Sequence, residues 1–267
     1  MNVAVAYEKA AADGRAALVG YLPAGFPTVA GAVDAINAMI DSGVDIVEIG
    51  MPYSDPVMDG LVIQRACQVA LEAGVRTRDI ISTVDQVTGQ GVPILVMTYW
   101  NPVERYGVDA FARDLAGAGG AGLITPDLIP DEADEWLAAS DVHGLDRIFL
   151  VSPSSTDERL AMTVRHCRGF VYATAVMGVT GARDATSSLA QPLVARAKAV
   201  PGAPPVSVGL GVRNGKQAAE VGAFADGVIV GSALVSALLD ASTPEEGLAG
   251  IRSLTTELRA GVAAAIR

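Results

Sequence analysis

A closed (β/α)8 barrel is the fold predicted by three features of this sequence: eight short apolar runs, helix-period segments between them, and a glycine joint that repeatedly carries a helix end into a strand. The runs fall at 17–22, 45–49, 94–98, 122–125, 147–151, 170–175, 206–208 and 227–230. Helical spacing connects Val29, Val33, Ile36 and Ile40, then Ile80, Ile81, Val84 and Val87, then Leu189, Leu193, Val194 and Ala197. The joint recurs as Ser42-Gly-Val-Asp-Ile-Val-Glu-Ile, Ala118-Gly-Gly-Ala-Gly-Leu-Ile and Val221-Gly-Ala-Phe-Ala-Asp-Gly-Val-Ile-Val. The repeating unit is therefore αβ, and eight such units with right-handed crossovers need about 250 residues.

An open doubly wound sheet competes with the barrel. It would normally carry a Gly-x-Gly-x-x-Gly turn after an early strand, and Leu22-Pro-Ala-Gly-Phe-Pro27 is not one. No Pro/Ser-rich linker divides the chain. The expectation is a single-domain (β/α)8 TIM barrel over residues 1–267, with an extra N-terminal helix before the first strand.

Composition narrows the class of function. With 51% hydrophobic and 18% charged residues the chain can bury a large core. Its net charge of −11 is spread over helix faces, without the basic patch or stacking platform that nucleic acid requires. Apolar runs such as 94–97 and 228–230 are strand-sized, so no membrane association is expected. Residues 1–15 lack the basic start and apolar centre of a signal peptide, which makes a cytoplasmic location the expectation. Cys67 and Cys167, on predicted helices, then read as buried free thiols rather than a disulfide. His143 and His166 have no neighbour at ligand spacing, read as polar residues near helix ends, and suggest no metal.

The second strand and the loop after it concentrate the chemistry. Glu48 alternates with Val47 and Ile49 and shares a face with Ile46, so it is not an ordinary solvated charge. Past Pro52 and Pro56, Asp59 precedes a glycine and then Ile63, Ala66, Cys67 and Ala70, which form one helix face. Two carboxylates thus flank one strand-to-helix connection. The last three strands all end in glycine-rich turns: Gly178-Val-Thr-Gly181, Gly209-Leu-Gly211 and Gly231-Ser232. Any one such turn is explained by strand termination, but three in succession point to a phosphate held by backbone N–H groups and the opening of a short helix at Gly231.

The residue inventory removes several reactions. The three lysines, Lys9, Lys198 and Lys216, all lie outside the strands, where a Schiff base would need one. No Ser-His-Asp or Cys-His pairing presents itself. Acid–base work by Glu48 and Asp59 remains, with a tyrosine such as Tyr172 as helper or as plain packing. Carbon–carbon cleavage with that equipment requires a substrate that carries its own electron sink.

These residues resemble the tryptophan synthase alpha chain family over essentially the whole chain. The signature is Glu48-Ile-Gly-Met-Pro-Tyr-Ser-Asp-Pro-Val-Met-Asp-Gly60 followed by Ile63 and Gln64. Tyr99-Trp-Asn-Pro102, Pro126-Asp-Leu-Ile-Pro130 and the three glycine turns support it in order and spacing.

The resemblance implies a lyase that cleaves indole-3-glycerol phosphate to indole and glyceraldehyde 3-phosphate. By it Glu48 is the acid/base, Asp59 binds the indole N–H, and Tyr172 lies near both. Tyr21, Ile63, Tyr99 and Leu210 would wall the indole, and Gly181, Gly211, Gly231 and Ser232 would hold the phosphate. Thr180 would belong to a closing loop, although a threonine beside glycine is equally a turn residue. Tyr21 and Tyr99 also suit ordinary rim positions.

The same resemblance implies a partner, a pyridoxal-phosphate (PLP) beta chain in an alpha2beta2 heterotetramer that receives indole through a channel. Tyr53, Asp55, Pro56, Asp127 and Pro130 would face it, and this chain itself would carry no cofactor. Leu61 departs from the proline common after Asp-Gly, and Ala175 and Val176 from the usual serine and arginine. Rival readings are another phosphate-binding barrel of aromatic amino acid or thiamin biosynthesis and a catalytically silent activating subunit.

Overall fold

The computed structural model describes residues 2–174, 187–209 and 211–265. Eight parallel strands close into a barrel in chain order, the last pairing with the first. They are β1 (Ala17–Pro23), β2 (Ile46–Gly50), β3 (Ile94–Met97), β4 (Gly122–Thr125), β5 (Asp146–Val151), β6 (Val171–Thr174), β7 (Val206–Gly209) and β8 (Gly227–Val230). These match the eight apolar runs, with ends shifted by a residue or two. Thr98, for example, falls outside β3, and its hydroxyl donates to the Tyr99 carbonyl at 3.0 Å.

Helices clothe the barrel. α1 (Val3–Ala12) precedes β1, and α2 (Val29–Asp41) joins β1 to β2. α3 (Leu61–Glu72) and α4 (Thr77–Val87) lead to β3, and α5 (Trp100–Tyr106) and α6 (Val108–Gly117) to β4. A 3-10 turn at Pro130–Glu132 and α7 (Asp134–Val142) lead to β5, then α8 (Asp157–His166) to β6 and α9 (Ser187–Lys198) to β7. α10 (Gly215–Gly222) leads to β8, and α11 (Ser232–Leu239) and α12 (Pro244–Ala263) follow it. α12 packs on α10, α11 and α2, which closes the helical ring at the seam between the last strand and the first.

Local signals explain where helices begin. Thr28, Thr156 and Thr243 are N-caps whose side chains accept backbone N–H groups of Gly31, Arg159 and Glu246. α8 carries Asp157 and Glu158 in its first turn and Arg165 and His166 in its last, each charge set against the helix dipole. α2 turns its alanines inward: Ala32, Ala35, Ile36 and Met39 are buried, while Val29, Val33 and Ile40 of the predicted stripe sit at its partly exposed edge. Small residues let this helix approach the barrel closely. Ile63, Ala66, Cys67 and Ala70 of α3 are all buried, as their spacing predicts.

The core has two parts. One lies between strands and helices; the other fills the barrel and joins Val19, Ile46, Leu95, Ile124, Ile148, Tyr172 and Ile229 to residues of α1. Each fully buried large aliphatic contributes roughly 1.5–3 kcal/mol. The bidentate pair of Arg15 with Asp45, at 2.6 and 2.8 Å, ties the α1–β1 connection to the start of β2.

α1 lies across the N-terminal end of the barrel. Asn2 caps it by accepting from Ala4 N, and buried Asp146 at the start of β5 accepts from Val3 N at 3.2 Å. Cys67 and Cys167 are both free, although Cys167 is only partly buried and caps α8 from outside. His143 caps α7 and His166 ends α8. Among the described residues no helix is long and apolar enough to cross a membrane.

Candidate active site

β2 brings Glu48 into the barrel because its inward positions alternate: Ile46 lies below, Glu48 above it, and Gly50 leaves a gap above that. Glu48 is fully buried, in register with Tyr21 of β1 and Leu95 of β3. Among the described residues neither carboxyl oxygen finds a hydrogen-bond partner. Burial alone holds its pKa up at about 8, so the group is protonated at neutral pH.

Phenols surround this acid. Tyr21 spans Gly50 and Gly231: a Cβ on Gly50 would overlap the Tyr21 hydroxyl, and one on Gly231 would press on its ring at 3.2 Å. Tyr172 on β6 lies over Gly209 in the same way. Burial raises the pKa of both phenols, and the nearby Glu48 adds to the shift in each, so all three groups face the same space in neutral form.

Asp59 sits at the mouth, half-buried, just before the Gly60 cap of α3. Tyr99 Oη donates to its Oδ1 at 3.2 Å and accepts from Met58 N at 3.0 Å, while Gln64 Nε2 donates to the Asp59 carbonyl at 2.8 Å. Burial raises the Asp59 pKa, and the Tyr99 hydrogen bond opposes that rise by favouring the carboxylate. Tyr99 itself is pushed to about 12 by burial. Ile63 of α3 is buried close by in the sequence that carries Gln64.

A second layer steadies this arrangement. The rings of Tyr53 and Tyr99 lie 5.1 Å apart. The Asp127 carboxylate accepts from Trp100 N at 2.9 and 3.1 Å, capping α5 directly after Tyr99. Tyr53 is half-buried, Asp55 exposed and Pro56 half-buried in the β2–α3 loop; Asp127 is exposed and Pro130 is buried at the start of its 3-10 turn.

Toward the proposed phosphate end, Gly231 caps α11 and Ser232 is its first residue, while Gly211 follows β7 with φ 68°, a conformation that favours glycine. Thr180, Gly181, Leu210, Ala175 and Val176 lie outside the described residues. Tyr21 thus neighbours Glu48, Asp59, Tyr99 and Gly231, and Tyr172 neighbours Glu48 from β6.

The comparisons with known proteins agree with the barrel fold. The family model for the tryptophan synthase alpha chain matches residues 7–263. This chain belongs to the tryptophan synthase alpha chain family. A curated alpha chain from Salinispora arenicola is 64% identical over 98% of this chain and 97% of its own length. One from Mycobacterium marinum is also 64% identical, over 96% and 93%. Among solved structures, Mycobacterium tuberculosis tryptophan synthase aligns with TM-score 0.91 and 59% identity over 97% of both chains. The tryptophan synthase alpha subunit of Legionella pneumophila aligns with TM-score 0.86 and 34% identity over 98% of both. Membership of the tryptophan synthase alpha family makes the chain a lyase of tryptophan biosynthesis.

Sequence reasoning missed two neighbours of the Glu48 and Asp59 carboxylates. Cys67, buried on α3, lies close enough to Asp59 for that carboxylate to add to the burial that pushes its thiol to about 12. Tyr7, from α1, enters the barrel interior. The spacing of Val3, Ala6, Tyr7 and Ala10 is helical and carried the signal for the latter. No group of three or more His, Cys, Asp or Glu among the described residues could hold a metal ion.

Proposed function

We propose that the chain cleaves indole-3-glycerol phosphate to indole and glyceraldehyde 3-phosphate by retro-aldol chemistry, with Glu48 as the acid/base. The observation that carries this reading is the dry, protonated Glu48 beneath an Asp59 held at the mouth by Tyr99. Glu48 gives its proton to indole C3, which turns the ring into an electron sink. The carboxylate so formed takes the proton of the side-chain hydroxyl on the adjoining carbon. The carbon–carbon bonding pair then returns to the ring, releasing indole and the aldehyde and leaving Glu48 protonated again. Asp59 accepts the indole N–H and stabilises the positive charge that develops there.

Because the substrate's own ring stores the electrons, the step needs neither Schiff base nor metal, and the chain is proposed to work without a cofactor of its own. Tyr172 positions Glu48 and the side-chain hydroxyl. Tyr21, Ile63, Tyr99 and Leu210 wall the indole, Thr180 serves closure, and Gly181, Gly211, Gly231 and Ser232 bind the phosphate through backbone N–H groups at the opening of α11. The whole chain serves as one catalytic domain in the cytoplasm.

Indole then passes to a PLP-dependent beta chain in an alpha2beta2 complex, docked on the face that carries Tyr53, Asp55, Pro56, Asp127 and Pro130. The similarity to a chain of Mycobacterium tuberculosis tryptophan synthase supports this pairing. The test is the rate of indole release by the purified chain, alone and with its cognate beta chain, beside Glu48→Gln. Release that rises with the partner and collapses in the variant is expected. Absence of release in both conditions would return the chain to the silent-subunit or other-barrel reading.

A further inference from the structure

The barrel interior holds a polar pair that the reaction above does not use. Tyr7 of α1 and Ser207 of β7 share a short hydrogen bond, and both are buried. Gly227 on β8 leaves room for them: a Cβ there would overlap the Ser207 hydroxyl and press on the Tyr7 ring. From Tyr7 a run of rings climbs toward the site, 5.7 Å from Tyr7 to Phe170 and 6.3 Å from Phe170 to Tyr172. Ser207 is also in register with Tyr172, the phenol that borders Glu48. Asp146 anchors the first turn of α1, which keeps the helix seated on the barrel end.

We propose that α1 is the floor of the active site and that Tyr7, held by Ser207, is a positioning residue that keeps water from reaching the Glu48 carboxyl from below. This rests on the acid/base role assigned to Glu48. A carboxyl with two unpartnered oxygens stays neutral only while water is excluded on every side, and on the N-terminal side Val3, Ala6, Tyr7 and Ala10 of α1 complete the apolar cluster that fills the barrel. The titratable groups that face Glu48 are phenols, Tyr21 from β1, Tyr172 from β6 and Tyr7 from α1, with Asp59 beyond Tyr21. Truncating Tyr7 to alanine leaves a ring-sized void lined by the Ser207 hydroxyl, a space that is polar enough to take water. Phenylalanine keeps the ring and loses only the hydroxyl.

The experiment uses the full chain with Tyr7→Ala and Tyr7→Phe, each with Glu48 intact and as Glu48→Gln. The difference in unfolding free energy between the two Glu48 states, followed from pH 5 to 8, reports the Glu48 midpoint without any activity. The pH profile of kcat for indole release reports it again in turnover. Tyr7→Ala is expected to lower the midpoint by about one pH unit or more in both readouts, with Tyr7→Phe staying near the parent. A folded Tyr7→Ala with an unmoved midpoint overturns the proposal, as does a Tyr7→Phe shift as large as that of alanine. If Tyr7→Ala does not fold, Ser207→Gly opens the same floor from β7 and is read by the same criteria. Absence of turnover in the parent as well as in every variant, together with a shifted midpoint, would refute the reaction and leave the floor standing.

Discussion

Replacing Glu48 by glutamine should make the protein more stable while removing its turnover. Burial holds the Glu48 pKa at about 8 against an ordinary 4.5. Below 4.5 the group is protonated whether folded or not, and it costs nothing through linkage. Between these values the unfolded chain ionises while the folded one cannot, so stability falls steadily as pH rises, and the loss is complete above 8. At pH 7 the gap of about 2.5 units is worth about 3 kcal/mol, at 1.36 kcal/mol per unit. Glutamine removes that pH-dependent part but leaves an unpartnered amide, so the net gain is smaller than the full figure. Urea unfolding of parent and variant at pH 5, 6, 7 and 8 measures it: the variant's advantage should widen by about 2.5 kcal/mol from pH 5 to 7. Parallel curves across that range would refute the assignment of Glu48 as a dry, neutral acid.

Tyr99→Phe removes the hydroxyl that donates to Asp59, and kcat/KM for indole release should fall about tenfold with little change in far-UV circular dichroism. Asp127→Ala uncaps α5, which should cost about 1 kcal/mol in denaturant unfolding and lower activity through Tyr99. Gly209→Ala would press on the Tyr172 ring and hydroxyl, with an expected loss of roughly 1–3 kcal/mol that shrinks when Tyr172 is also replaced by leucine. Arg15→Ala leaves Asp45 without its bidentate partner in a nearly closed setting, and a loss of about 3 kcal/mol in thermal or urea unfolding is the expectation.

Most of the barrel was legible because each strand is a short apolar run fenced by helix-period residues, and the closed topology follows from that alternation. The carboxylates were legible for a related reason: Glu48 breaks an apolar strand, and Asp59 stands where a helix must begin. Less legible was anything that depends on who faces whom across the barrel. Tyr21 over Gly50 and Tyr172 over Gly209 are contacts between strands, and no local pattern announces them. The inward turn of α2 was less legible because alanine carries little hydrophobic weight, yet close helix packing selects it. Asp127 read as a loop carboxylate for a partner; the structure also gives it the work of capping α5.

The seats beneath the phenols set the order in which this pocket can change over generations. Gly50, Gly209 and Gly227 each face a hydroxyl-bearing side chain that would collide with any added carbon. A lineage that substitutes one of these glycines first meets a large penalty, whereas one that first trims the opposing side chain meets a vacancy it can later fill. Breeding the pocket toward a bulkier ring should therefore begin at Tyr21 or Tyr172, and variants isolated at the glycines should carry an earlier, smaller residue opposite them.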